Sequence, residues 1–326
     1  MPASMLDMNP AVASDARTDG TSLLRRFLEA YWLRPENALW MTLRSEALAR
    51  VAFTHPSIDL GCGDGVFGFL HFGGAFDPAF DVFTAVEKLD RVRDGHADMF
   101  DGGVDCYRPL IRFRPNETID LGADCKPAML AKAAKLDFYA RLVEQDNNHP
   151  LPFDDGAFAT VYCNAAYWVR EIDLFLAELA RITRPGGRVV LQVKLDSMRR
   201  YTLEAHRASL GDRFLEIIGR GRMGCWPTLA GRSTWEDRFA RAGFSILEVT
   251  PFVTRTHAHF WDIGLRPLAP QLVRMANALA PATRADIKRD WVDLLCELLS
   301  PMCQPTFDLI AGNDEPAEIQ YVLCPQ

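Results

Sequence analysis

The chain has 326 residues, 48% of them hydrophobic and 24% charged, with a formal net charge of -7 and a pI near 5.6. That size and apolar content support one large globular domain or two ordinary ones. The acidity excludes broad, sequence-independent binding to nucleic acid, and no window approaches the roughly 18 apolar residues of a membrane span.

In chain order, residues 1–19 lack a basic start followed by an apolar run, so they read as a flexible tail and the protein as cytoplasmic. The eight cysteines are scattered without a CxxC pair and read as reduced thiols. Leu23, Leu24, Phe27, Leu28, Tyr31 and Trp32 recur at helical spacing, and Pro35 suits the first turn of a second helix. Residues 56–60 read as a buried strand and 64–71 as a helix start. The Gly-, Asp- and Phe-rich stretch 72–117 is too long for a connection and reads as an insertion. "ETIDLGAD" reads as a strand, 127–143 as helix and "FATVYCN" as a strand. A helix marked by Ile172, Phe175, Leu179 and Ile182 follows, then "GRVVLQV". Strand and helix alternate, which predicts a parallel sheet covered by helices. "STWE" at 233–236 reads as a capping box with Gly243 ending its helix. "FSILEV" and "EIQYVLC" read as two closing strands, with a helical insertion over 251–316 between them and the last core strand over 317–326. The core is thus expected over 56–250, after N-terminal helices at 20–55.

The stretch "SIDLGCGDGVFGFL" places Gly61, Gly63 and Gly65 between a strand and a helix. Glycines there let a ligand reach the backbone. The P-loop ending Gly-Lys-Ser/Thr is missing, and the dinucleotide pattern would need a glycine at Val66. Asp59 and Asp64 beside the glycines suit a ligand without a bare phosphate, such as S-adenosylmethionine. A ribose acid is expected at the end of the next strand, where a carboxylate accepts from two hydroxyls. Asp124 is favoured because a helix follows at once; Asp77 and Asp81 lie nearer the usual spacing of roughly 20 residues, and Asp120 sits inside the strand.

Four stretches resemble the class I S-adenosylmethionine-dependent methyltransferases of the methyltransferase-11-like type: "IDLGCGDGVFGFL", "GADCKPAMLAKA", "LPFDDGAFATVYCNAAYWV" and "ELARITRPGGRVVLQV". The resemblance implies a Rossmann-like α/β fold with a mostly parallel seven-stranded sheet and an antiparallel last strand. It implies S-adenosyl-L-methionine as cofactor and S-adenosyl-L-homocysteine as product. On these positions it implies cofactor contacts at Asp59, Gly61, Cys62, Gly63, Asp64, Asp124, Cys125, Asp146, Asn147 and Asn164. The chain departs from the pattern in two places. Asp124 lies about 60 residues past the glycines instead of roughly 20, and Asp146 is one position further from "LPF" than the commonest spacing.

Methyl transfer from a sulfonium needs alignment more than acid–base chemistry, so no triad is expected. His257, His259 and Tyr167 are the candidate catalytic residues, and Tyr31, Trp40, Trp168 and Trp261 the candidate walls of an acceptor pocket. The N-terminal helices and the 251–316 insertion are expected to form a lid. No ligand cluster predicts a metal. The expected partner is a small or medium-sized metabolite acceptor; an inactive cofactor-binding partner subunit or a nucleotide-dependent oxidoreductase are the alternatives.

Overall fold

The computed structural model describes residues 22–86, 99–219, 222–304, 307 and 314–326. The expected tail, residues 87–98 of the first insertion and residues 305–306 and 308–313 of the expected helical insertion lie outside them. The chain forms β1 (Ser57–Leu60), β4 (Ile119–Asp124), β5 (Tyr139–Glu144), β6 (Phe158–Cys163), β7 (Thr183–Lys194), β8 (Phe244–Val253) and β9 (Glu318–Pro325) in one sheet. A separate hairpin joins β2 (Ala75–Phe76) and β3 (Ile111–Phe113). The sheet order is β5-β4-β1-β6-β7-β9-β8. All neighbours run parallel except β9, which is antiparallel to both β7 and β8. This is the mostly parallel seven-stranded Rossmann-like sheet that the sequence resemblance implies, with its order reversing beside β1. In such sheets ligands sit at the carboxyl ends of the strands at that reversal.

Strand β1 is buried at every position, because Ile58 pairs with Leu121 of β4 on one side and Val161 of β6 on the other. One sheet face carries α5 (Ile172–Ile182) and the helix Arg232–Arg241 with Trp235 and Phe239. The other face is covered by α1 (Leu23–Tyr31), α2 (Pro35–Leu48), α3 (Val66–His71) and aromatic residues of the insertion. The chain also forms α4 (Pro127–Ala134) between β4 and β5.

The sequence reading errs in two elements. Residues 127–143 are not one helix: α4 stops at Ala134, Asp137 adopts a left-handed φ of 52°, and β5 begins at Tyr139. "STWE" does not open its helix; Gly231 is the N-cap, without a side-chain bond. The chain's capping box lies at Thr254 and His257 instead, at the start of helix Arg255–Ile263.

The insertion is fastened from both sides. Lys126 pairs with Asp101 at 2.8 Å, and Lys135 donates to the carbonyls of Val104 and Tyr107. From the C-terminal region, Arg284 pairs with buried Asp81 at 2.8 Å, and Lys288 donates to the carbonyl of Pro78. Trp32 donates its indole N–H to the same Asp81 carboxylate at 2.9 Å.

Candidate functional site

At the end of β1 the backbone turns through Gly61, Gly63 and Gly65 with φ of 88°, 59° and 77°, a region open to glycine at little cost. The backbone N–H groups of Gly61 and Cys62 both donate to the carbonyl of Ala123 in β4. A Cβ on Gly61 would meet Ala165 at 2.8 Å, whereas one on Gly63 would meet nothing within 4 Å. Gly61 is therefore needed for close packing, and Gly63 leaves its backbone bare toward a cleft of about 270 Å³.

Gly61, Gly63, Asp124, Cys125, Asp146, Asn147, Asn164, Tyr167 and Trp168 all line this cleft. Asp124 sits opposite the glycine turn and accepts from the N–H groups of Gly63 at 3.0 Å and Lys126 at 2.9 Å. Burial raises its pKa. Its rival Asp81 is committed to Arg284 and Trp32, and Asp120 lies at the opposite end of its strand, bonded to His55 and Ser57. Asp77 caps the N–H of Ala79. Asp146 accepts from the N–H of Asn148, and Asn147 presents a buried Oδ1 with no partner among the described residues.

Three expected residues lie beneath the cleft rather than on its wall. Asp59 is 3% exposed and accepts from the Tyr139 hydroxyl at 2.7 Å, while its Oδ1 has no partner among the described residues. Burial pushes its carboxyl up to about 7. Asp64 caps the N–H of Val66; burial raises its pKa, and a hydrogen bond from Tyr31 opposes the rise. Cys62 is buried, and burial first, then the nearby carboxylates, push its thiol up.

The two histidines expected as catalytic lie apart from this cleft. Both ring nitrogens of His257 face the main chain: Nδ1 lies 3.1 Å from the Thr254 N–H and Nε2 2.9 Å from the Met302 carbonyl. It fixes the start of a helix and does not line the cleft. His259 is exposed, its ring 6.3 Å from that of Tyr201. Tyr31 reaches the site through Asp64. Trp40 and Trp261 pack on each other at 5.5 Å and do not line this cleft.

Residues missed by sequence reasoning stand behind Tyr167. Its hydroxyl accepts from Arg44 at 3.0 Å, and Lys194 places its ammonium 4.7 Å from the ring centroid. Arg44 and Lys194 both pair with Glu318, which opens β9. A second chain of bonds runs inward from the cleft: Asn164 donates to Tyr162, Tyr162 to Gln192, and Gln192 to Gln320. The available signal was a charged residue at each end of an apolar strand, Lys194 closing "VVLQVK" and Glu318 opening "EIQYVLC".

Among the described residues no group of three or more His, Cys, Asp or Glu could hold a metal ion, and no helix is long and apolar enough to cross a membrane. Residues 116–191 match the family model described as a methyltransferase domain. No curated protein matches the chain. Solved structures similar to it include a chain of the complex between the Haloferax volcanii Trm112 methyltransferase activator and a methyltransferase, 19% identical with a TM-score of 0.44, covering 89% of this chain and 92% of that one. An S-adenosylmethionine-dependent methyltransferase from Thermotoga maritima is 11% identical with a TM-score of 0.44, covering 93% and 100%. One from Mesorhizobium loti is 16% identical with a TM-score of 0.43, covering 87% and 96%.

Proposed function

Starting from a segment, residues 116–191, that belongs to the methyltransferase-domain family, we propose that this chain transfers a methyl group from S-adenosylmethionine to a small or medium-sized metabolite. The observation that supports it best is the pairing of Asp124 with the bare glycine turn, above a buried acid whose Oδ1 lacks a partner. The donor set suits an adenosine joined to a cationic amino acid. Asp124 retains lone pairs for two ribose hydroxyls while holding Gly63 and Lys126. Asn147, with its unpartnered Oδ1, and Asp146 face the adenine end of the cleft. The free oxygen of Asp59 suits an ammonium group, which would favour its charged form. A carboxylate-lined turn does not suit a pyrophosphate.

When bound, this cofactor supplies an already activated methyl group, so the protein's task is alignment and exclusion of water. Tyr167 and Trp168 wall the cleft at the end of β6, and Asn164 is held by Tyr162 in the same wall. No general base is assigned among the cleft residues. Calorimetry is the test. S-adenosylmethionine and S-adenosylhomocysteine should bind while NAD does not. Incubation with methyl-labelled cofactor and a host-cell extract should then give a labelled small molecule. NAD binding with no binding of either sulfur compound would overturn the reading.

A further inference from the structure

Beside the cleft, at the carboxyl end of β7, lies a charged cluster that cofactor binding does not use. The Lys194 side chain is 4% exposed and that of Glu318 is 1% exposed. The Lys194 ammonium lies 4.1 Å from the Trp40 ring centroid, 4.7 Å from that of Tyr167 and 5.1 Å from that of Trp226. Glu318 is shared: Arg44 donates to both its oxygens at 3.0 and 3.2 Å, Trp40 donates at 3.0 Å, and Lys194 pairs with it. Two cations thus divide one carboxylate in a setting where charge is poorly screened. The Trp226 indole N–H is a buried donor with no partner among the described residues, and leaving such a donor unpaired is costly.

The same cluster orients Tyr167. Because Arg44 donates to its oxygen, the hydroxyl's own proton is turned away from the guanidinium, and Tyr167 lines the cleft. We propose that the methyl acceptor is a small organic anion, its charge on oxygen and attached to a planar apolar body, received by the Tyr167 hydroxyl with Arg44 and Lys194 supplying the field behind it. The inference rests on the methyl-transfer reading and names its substrate class. Tyr167 touches the acceptor. Lys194 and Arg44 act through it and are positioning residues. A cationic acceptor would meet the cluster's one net positive charge, and a neutral one would leave its field unused.

The test uses the full chain saturated with S-adenosylhomocysteine and two matched probe pairs, benzoate with benzamide and 3-phenylpropionate with its amide, together with benzylamine. Affinities are read by NMR titration. Each carboxylate should bind about tenfold more tightly than its amide, the scale of one charge-assisted contact. The preference should shrink in Tyr167→Phe, titrated at S-adenosylhomocysteine concentrations that saturate that variant, and vanish in Lys194→Met, whose S-adenosylhomocysteine affinity should stay within about threefold of the parent. Lys194→Met leaves Glu318 paired with Arg44 and cancels the cluster's net positive charge, whereas Lys194→Met/Glu318→Gln keeps one positive charge on Arg44 and should restore part of the preference, with circular dichroism as the folding check. Equal binding of acid and amide in the parent, a preference for benzylamine, or a carboxylate preference that survives undiminished in Lys194→Met would each overturn the proposal. A chain that binds no S-adenosylhomocysteine fails at the methyl-transfer reading instead, so the two failures are told apart.

Discussion

Asp124 and Asp81 were rivals in the sequence and are separated by their partners. Asp124 faces two backbone N–H groups and a cleft; Asp81 faces a guanidinium and an indole. Asp124→Ala should weaken cofactor binding by about 1.5–3 kcal/mol, roughly ten- to a hundredfold, as expected for lost charge-assisted bonds. Asp81→Ala should leave that affinity unchanged and lower the melting temperature. Calorimetry and thermal denaturation of both variants decide it, and the reverse pattern would return the ribose role to Asp81. Two other groups set opposite pH responses. Asp59 keeps its proton up to about 7 in the folded chain, against about 4 when unfolded. Its raised pKa contributes stability below the unfolded value that is lost as pH rises through about 7. His71 bonds Ser45 at 2.6 Å, and burial lowers its pKa to about 4. It contributes stability above about 6.5 that is lost as pH falls through about 4. Melting curves should therefore show Asp59→Asn gaining on the parent more at about pH 8 than at about pH 5. His71→Gln should lose less than the parent between about pH 7 and pH 4. A constant offset at all pH values would remove the corresponding titration from the folded state.

At the scale of elements, the Thr254–His257 capping box replaces an expected catalytic histidine. Thr254→Ala should cost about 1 kcal/mol of stability, the usual loss of an N-cap. His257→Gln, measured by cofactor calorimetry and by turnover once an acceptor is known, should change neither. Loss of turnover in a folded His257→Gln chain would restore the base. Why this was illegible is specific: "THAH" carries two histidines at a spacing that fits a pocket as well as a helix start, and only the backbone decides. The elements that were legible had strong local signals. Buried β1 alternates Ile58 and Leu60 with Ser57 and Asp59 between Pro56 and the glycine turn, and α5 shows its apolar stripe in Ile172, Phe175, Leu179 and Ile182. Strand β5 was missed because it is a sheet edge. Only Tyr139 is fully buried, and "YARLVE" has the residue types of a helix. What turns it into a strand is Asp137 at positive φ and pairing with β4, both outside local propensity. In the site, the glycine turn and Asp124 were readable from spacing. Arg44, Lys194 and Glu318 were not, because their meeting joins α2, β7 and β9 across the whole chain.

At the scale of the molecule, the insertion and the terminal helices form one braced body. Trp291 of the helix Pro281–Leu299 packs edge-on against Trp32 at 6.5 Å, and Arg25 of α1 pairs with Asp293 at 2.6 Å. Asp81, Arg284 and Lys288 fasten that helix to the insertion. Arg284→Ala strands a buried carboxylate and should cost about 3–5 kcal/mol, whereas Asp81→Asn/Arg284→Met should recover much of the loss. Equal melting temperatures for the single and double variants would mean that the pair's packing, and not its charge, carries the effect.

This braced body reaches the cofactor loop through Tyr31, which ends α1 and bonds Asp64 beside the glycines. Tyr31 also lies edge-on to Phe100 of the insertion at 6.0 Å. A ligand that orders the glycine turn therefore stabilises Asp64, and through it the last turn of α1. The proposed lid has a physical readout in that coupling, since binding energy that reaches a segment lowers its local opening. Hydrogen exchange with and without S-adenosylhomocysteine should show slower exchange in the glycine turn, at the end of β4 and in Leu23–Tyr31. In Tyr31→Phe, which keeps the ring and its packing, the slowing in α1 should disappear while that in the turn and β4 remains. Protection confined to the turn and β4 in the parent chain would make α1 a cover for the sheet face and nothing more. Protection of α1 that persists in Tyr31→Phe would place the coupling in the aromatic packing instead of the hydroxyl.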